Sequence, residues 1–299
     1  MTEIKTIGVC GAGTMGSQLA ALFAGAGFDV LLFDLNQELS EGGLEGALAA
    51  KPAAFYDKGF AKKVTPLNYD EHLDRFAECD WIVEAIAERL DWKHGLYSRI
   101  QTQLKPEAIL SSNTSGLPLA SLVEPLDEDV RQRFLITHFF NPPRYMKLVE
   151  IVPGPDTRPE VLALMQNLLG ETLGKGVVEA KDTPNFIAHR IGTFGMMQVL
   201  KTAQEMRLTV EQVDAITGPV MGRPKSATFR TADLVGLDVL AAVAKTAYER
   251  CPDDEQRDIY QIPALLETML SNKWLGQKTK GGFYKKVDKE IFALDFDTL

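Results

Sequence analysis

The stretch FLITHFFNPPRYMKLVEIVPG places His138 in one apolar run and Glu150 in the next. Both are polar residues where a strand would ordinarily carry Val or Ile. An imidazole can take a proton from an alcohol and return it, because it titrates near the operating pH. A carboxylate beside it fixes the tautomer and stabilises the imidazolium that forms. The spacing permits such a pair. With FLITHFF and KLVEIV as strands joined through NPPRYM, the turn centres on Arg144 and both residues lie equally far from it. An antiparallel hairpin would then make them cross-strand neighbours on one face. The competing reading is two satisfied core residues with no chemical role.

Such a pair needs a scaffold, and the start of the chain offers one. IKTIGVC is β-branched and apolar and closes on Gly11, so it reads as a buried strand. TMGSQLAALFAGAG follows, with Met15, Leu19, Leu22 and Phe23 on one helical face and glycines at its end. FDVLLFDL is a second buried strand, ending in Asp34. Together these make a βαβ unit in the roughly 30 residues that one needs. The turn Gly11-Ala12-Gly13-Thr14-Met15-Gly16 is a GxGxxG that follows a strand and opens a helix. The spacing alone is a weak signal; the context gives it meaning.

Each position in that turn has a physical use. Gly11 permits the tight turn, Gly13 lets a pyrophosphate approach the backbone, and Gly16 lets the helix pack close to the sheet. Thr14 and Met15 begin the helix, whose N-terminus offers N–H donors and partial positive charge to an anion. Asp34 stands about 20 residues on, where an acid bonds the adenosine ribose. An acid there favours NAD, because the extra phosphate of NADP would face a carboxylate.

The alternation continues along the chain. CDWIVEAI, AILSSNTS and RFLITHFF read as strands, RLDWKHGLYSRIQTQL as a helix and PLASLVEPL as a short one. The expected fold is therefore α/β: a Rossmann-type doubly wound, mostly parallel sheet, followed by a smaller all-helical domain. DTPNFIAHRIGTFGMMQVLKTAQEM reads as a helix capped by Asp182 or Thr183, with Pro184 near its start. TVEQVDAITG, VGLDVLAAVAKTAYERC and PALLETMLSNKWLG are further helices. The boundary falls at Asp182, giving a dinucleotide-binding domain over 1–182 and a helical domain over 183–299. GGFYKKVDKEIFALDFDTL reads as two short strands around Asp288-Lys289. So short a tail after them raises the expectation that the chain is a piece of a longer polypeptide.

Composition narrows the partners. A chain of 299 residues is comfortable for two domains, and 45% hydrophobic with 24% charged residues is ordinary for a globular protein. A net charge of −9 argues against nucleic acid, which needs a basic face. It leaves room for a phosphorylated ligand held by a few local donors. Cys10, Cys79 and Cys251 are odd in number and widely spaced, which fits a reducing compartment. No Cys/His set has zinc-ligand spacing, so no metal site is expected. His72 and His94 lie in polar surroundings and read as solvated. The longest apolar region, LAALFAGAGFDVLLF, is broken by glycines and Asp29 and does not read as a membrane span. MTEIK leads directly into a strand, with no signal-peptide pattern, so a cytoplasmic location is expected.

The glycine turn, SSNTS, THFFNPPRYMKLVEIV, KDTPNFIAHR and GQKTKGGFYK, in that order, resemble the L-3-hydroxyacyl-CoA dehydrogenases over nearly the whole chain. LGKGVVEAKDTPNFIAHRIGTFG and GRPKSATFRTADLVGLD are most similar to the subgroup fused to an enoyl-CoA hydratase. The resemblance implies an NAD-dependent oxidation of an acyl-CoA substrate in fatty-acid β-oxidation, a homodimer, and a hydratase module outside this chain. It implies that His138 is the catalytic histidine and Glu150 its acidic partner. Ser115 is similar to a serine contacting substrate and nicotinamide, and Asn141, Glu88, Lys93 and Lys278 to cofactor contacts. One motif departs, at two positions. The family motif reads TPGF..NR, with its asparagine at the substrate site; here Asn185 replaces the glycine and His189 the asparagine. An imidazole is bulkier than an amide and can carry charge near neutral pH. Two other readings stay open: a dehydrogenase of a small free hydroxy acid, and a non-catalytic NAD-binding structural protein.

Overall fold

A computed structural model describes residues 3–296 and 298–299. The chain divides into two compact units, one ending at Phe186 and the other running Ile187–Leu299. In the first unit, eight strands form one sheet in the order β3-β2-β1-β4-β5-β6-β7-β8. They are β1 (Thr6–Cys10), β2 (Asp29–Asp34), β3 (Val64–Asn68), β4 (Trp81–Glu84), β5 (Ile109–Ser112), β6 (Phe134–Phe139), β7 (Leu148–Pro153) and β8 (Gly176–Glu179). β1 to β6 are parallel, β7 is antiparallel to β6, and β8 is parallel to β7. This is the mostly parallel, doubly wound sheet that the alternating sequence predicts.

The helices of this unit are α1 (Thr14–Gly25), α2 (Gln37–Ala49), α3 (Leu90–Ile100), α4 (Leu119–Leu122), α5 (Glu128–Arg131) and α6 (Pro159–Asn167). Alternate residues of each strand feed two separate cores. Val9, Leu32, Trp81 and Leu135 pack on one face with Leu19 and Phe23 of α1. Leu31, Ile82, Leu110 and Ile136 pack on the other with Tyr97 and Ile100 of α3. Coverage of both faces is why the central strands are continuous apolar runs. It also means that any polar side chain within them must find a partner inside the protein.

Both sheet edges escape the sequence pattern. β3 contains Pro66, opposite Leu32, and proline in a strand is tolerated at an edge. β8 has only four residues and is largely exposed, so it carries no buried run.

The helix expected from Asp182 begins instead at Ala188. Asn185 and Phe186 take left-handed conformations, φ +64° and +49°, which no helix can incorporate. The Asp182 carboxylate does cap a helix, but a different one: it accepts from Leu119 N (3.0 Å) and Ala120 N (3.3 Å) at the start of α4. Phe186 is buried in the sheet core, so the division between units falls four residues beyond the expected boundary at Asp182.

The second unit holds α7 (Ala188–Glu205), α8 (Val210–Thr217), α9 (Phe229–Val235), α10 (Leu237–Arg250) and α11 (Ala264–Ser271). An antiparallel hairpin, β9 (Tyr284–Val287) and β10 (Glu290–Ala293), turns at Asp288, φ +53°. A capping box between Thr209 and Gln212 opens α8. The short α9 has no local cap. Asp214 serves it from α8, accepting from Thr228 N (3.1 Å), Phe229 N (2.8 Å) and Arg230 N (3.1 Å). Leu200, Val213, Phe229, Leu237, Leu266 and Phe283 form this unit's core.

Candidate active site

The β6–β7 register places His138 directly opposite Glu150. Nδ1 of His138 lies 2.8 Å from Oε2 of Glu150, and the two residues are 2% and 0% exposed. The hairpin does this through period-two geometry: Phe139 and Val149 turn to one core, so their neighbours turn to the other face. Phe140 and Phe186 flank the imidazole at ring-centroid distances of 4.4 and 5.7 Å. With the carboxylate ionised, Nδ1 carries the proton and Nε2 holds the lone pair. That is the tautomer of a proton acceptor.

The glycine turn follows β1. Gly11 has φ +95°, and its N–H donates to Phe33 O at 2.8 Å. A Cβ on Gly16 would lie 1.8 Å from Gly11 O, whereas one on Gly13 would meet nothing within 4 Å. Gly16 is therefore required for close packing, and Gly13 faces open space. No side chain caps α1 and no acid stands in its first turn, so the Thr14–Met15 end is suited to an anion. Asp34, at the end of β2, accepts from Ala12 N (2.6 Å) and Leu35 N (2.7 Å). A cleft of about 870 Å³ adjoins the turn, and its α2 wall carries Glu38, Glu41 and Glu45. A ligand bearing one more phosphate would meet these acids. These residues fit NAD. Gly16→Ala is expected to weaken NADH binding on the order of 100-fold, since the turn itself must move. A fluorescence titration checks this, and an unchanged Kd in a folded variant would remove the turn from the binding site.

Several residues gather at the carboxyl ends of β4 and β5, where α/β folds bind ligands. Glu88 Oε1 accepts from Ser115 N (2.9 Å) and from the Thr114 hydroxyl. The Lys93 ammonium is only 1% exposed, between Glu84 (2.6 Å) and Glu88 (3.4 Å). Asn141 accepts from Gln18 Nε2 (3.3 Å), which ties the hairpin turn to α1. Two cations brace that turn further. Arg144 donates to Ala53 O (2.9 Å) and Phe55 O (2.6 Å), and Lys175 donates to Met146 O (2.9 Å) and to Pro143 O. His189 and Lys278 belong to the second unit, where Lys278 is paired with Asp238 at 2.6 Å.

Sequence reasoning missed two residues here. Glu84 is fully buried, and its signal was present: an acid within the apolar run WIVE, the same anomaly as Glu150. Asn113 Oδ1 accepts from Phe139 N at 2.9 Å and so fixes the backbone beside His138. Burial, and then the Glu84 charge, push the Tyr97 phenol well above its ordinary range, so it remains a donor. Burial first, and Glu84 next, likewise raise the Cys10 thiol, which leaves it unreactive. His94, expected in solvent, donates to Ser121 O at 2.7 Å and ties α3 to α4.

A dinucleotide-type glycine turn and a buried His138–Glu150 pair on one mostly parallel sheet are the fold and site of an NAD-binding protein. Residues 6–183 match the family model described as 3-hydroxyacyl-CoA dehydrogenase, NAD binding domain, and residues 186–286 match that of the C-terminal domain. The chain belongs to the 3-hydroxyacyl-CoA dehydrogenase family, and its cofactor is NAD.

Two relatives bear the name "Probable 3-hydroxyacyl-CoA dehydrogenase". The one from Deinococcus radiodurans is 42% identical over 99% of this chain and 87% of its own length. The one from Bacillus subtilis is 40% identical over 99% of this chain, which spans only 40% of that relative. The solved (S)-3-hydroxybutyryl-CoA dehydrogenase of Ralstonia eutropha superposes with a TM-score of 0.80 at 27% identity, covering 94% of this chain and 98% of its own. Among the described residues no helix is long and apolar enough to cross a membrane, and no cluster of His, Cys, Asp or Glu could hold a metal ion.

Proposed function

We propose that the chain interconverts L-3-hydroxyacyl-CoA and 3-ketoacyl-CoA, with His138 as general base and Glu150 as its partner. The observation that carries this is the buried His138–Glu150 contact at 2.8 Å. Oxidising a secondary alcohol removes a hydride from carbon and a proton from oxygen. Bound NAD supplies the hydride acceptor. Nε2 of His138 takes the hydroxyl proton, and the positive charge that develops on the ring is met by Glu150. Water is excluded from both groups, so this attraction is on the order of a few kcal/mol. In the reductive direction the imidazolium returns the proton to the forming alkoxide. Ser115, its backbone held by Glu88, is the polar group assigned to the substrate oxygen.

The substrate class rests on the family and on the names of the relatives. His189 and Lys278 enter the proposal through the resemblance alone, as do Asn141 and Lys93 as cofactor contacts. The Bacillus subtilis relative extends well beyond the matched stretch, which leaves room for the hydratase module expected outside this chain. A cytoplasmic location and a homodimer belong to the same proposal. The three cysteines are free and buried, and Val220, Met221 and Ile216 of the helical unit are exposed apolar residues suited to self-association.

Purified protein is expected to oxidise NADH when given acetoacetyl-CoA, followed by the loss of NADH absorbance. Turnover of free hydroxy acids, with none of CoA thioesters at equal concentration, would reassign the substrate.

A further inference from the structure

Glu84 closes β4 and takes no part in the reaction above, yet its buried carboxylate has four hydrogen-bond donors. Its Oε1 accepts from Ile86 N (2.8 Å) and Lys93 Nζ (2.6 Å), and its Oε2 from Tyr97 OH (2.7 Å) and Ser112 Oγ (2.7 Å). Three of these donors are neutral and lock the carboxylate in place. The fourth is an ammonium that is 1% exposed. A charge so far from water needs a counter-charge beside it, and Glu84 is the nearer of two.

The other is Glu88, 45% exposed, with Oε2 3.4 Å from the same ammonium. Left to itself, a half-exposed glutamate samples several rotamers in water. Lys93 removes that freedom, and the second Glu88 oxygen then receives Ser115 N at 2.9 Å and the Thr114 hydroxyl. The charges alternate from the buried strand end outward: Glu84, Lys93, Glu88, and then the Thr114–Ser115 backbone.

We propose that Glu84 is a positioning residue: by holding Lys93 it fixes Glu88, and through Glu88 it fixes the turn that presents Ser115. This rests on the reading that Glu88 and Ser115 serve the cofactor and substrate. Glu84 itself is sealed from solvent; it also meets this turn through Ser112 Oγ, which accepts from Thr114 N at 3.2 Å, but its charge acts through Lys93.

Glu84→Gln keeps the shape and one acceptor oxygen but removes the charge that holds Lys93. The expected result is a KM for NADH raised about tenfold, with kcat within about threefold of the parent. A purely structural defect would reduce the active fraction, lowering kcat with KM unmoved, and that result overturns the proposal. An unchanged KM with unchanged kcat overturns it equally. If Glu84→Gln does not fold, Glu84→Gln/Lys93→Met is compared with Lys93→Met. Equal NADH KM values, within about twofold, support action through Lys93; a further rise of about tenfold in the double variant overturns it. Glu88→Gln separates the two levels of the argument. NADH KM unmoved there overturns the reading that Glu88 serves the cofactor, whatever Glu84 does. NADH KM raised there, but unmoved in Glu84→Gln, overturns the positioning role alone.

Discussion

His138→Ala is expected to lower kcat for acetoacetyl-CoA reduction by about 1,000-fold while leaving the Kd for NADH within about twofold. The two numbers have different origins. NADH binding is assigned chiefly to the glycine turn, the N-terminus of α1 and Asp34, around β1 and β2; of its proposed contacts Asn141 lies in the hairpin turn, and its side chain is left in place by this substitution. Proton transfer is assigned to the imidazole alone, and general acid–base catalysis by one positioned group is worth about 10²–10⁴ in rate. Alanine also removes the donor 2.8 Å from a fully buried carboxylate, so some loss of stability accompanies it. His138→Gln separates the effects, because an amide can still donate to Glu150 but cannot take a proton at this pH. It should be nearly as inactive as His138→Ala and melt closer to the parent. Turnover in His138→Gln within about tenfold of the parent would sink the proposed role of the histidine.

What could be read in the sequence was what lies close in the chain. The β1–α1–β2 unit declared itself because a glycine turn, a helical face and two apolar runs are contiguous. His138 and Glu150 declared themselves because a short turn separates them and strand geometry has a fixed period. Glu84 did not. Its lysine is nine residues away on a helix and its serine twenty-eight residues away on the neighbouring strand. No local spacing rule connects those positions; only the parallel register of β4 and β5 does.

The edges were hidden for a different reason. β3 and β8 are strands through pairing with a neighbour rather than through their own apolar pattern, and Pro66 argued against the first of them. The start of α7 was misplaced because Asp182 has the chemistry of a helix cap but serves α4, sixty-three residues earlier in sequence. A cap can be recognised by residue type; the helix it caps is a tertiary fact.

The Glu150 substitution gives the sharpest test of the pair. Glu150→Gln preserves volume, and its amide oxygen can still accept from Nδ1–H, so the tautomer of His138 can survive. What it loses is the negative charge facing the imidazolium as the proton arrives. In a site this buried that charge is only weakly screened, and the expected loss in kcat is about 100-fold to 1,000-fold. The loss should not repeat on a background that has no imidazole to stabilise. His138→Ala/Glu150→Gln is therefore expected to match His138→Ala in kcat within about threefold, the signature of residues acting as one unit. Independent losses that multiply would mean that Glu150 acts on something other than His138. The 2.8 Å contact would then be a structural bond inside a catalytic sheet rather than part of its chemistry.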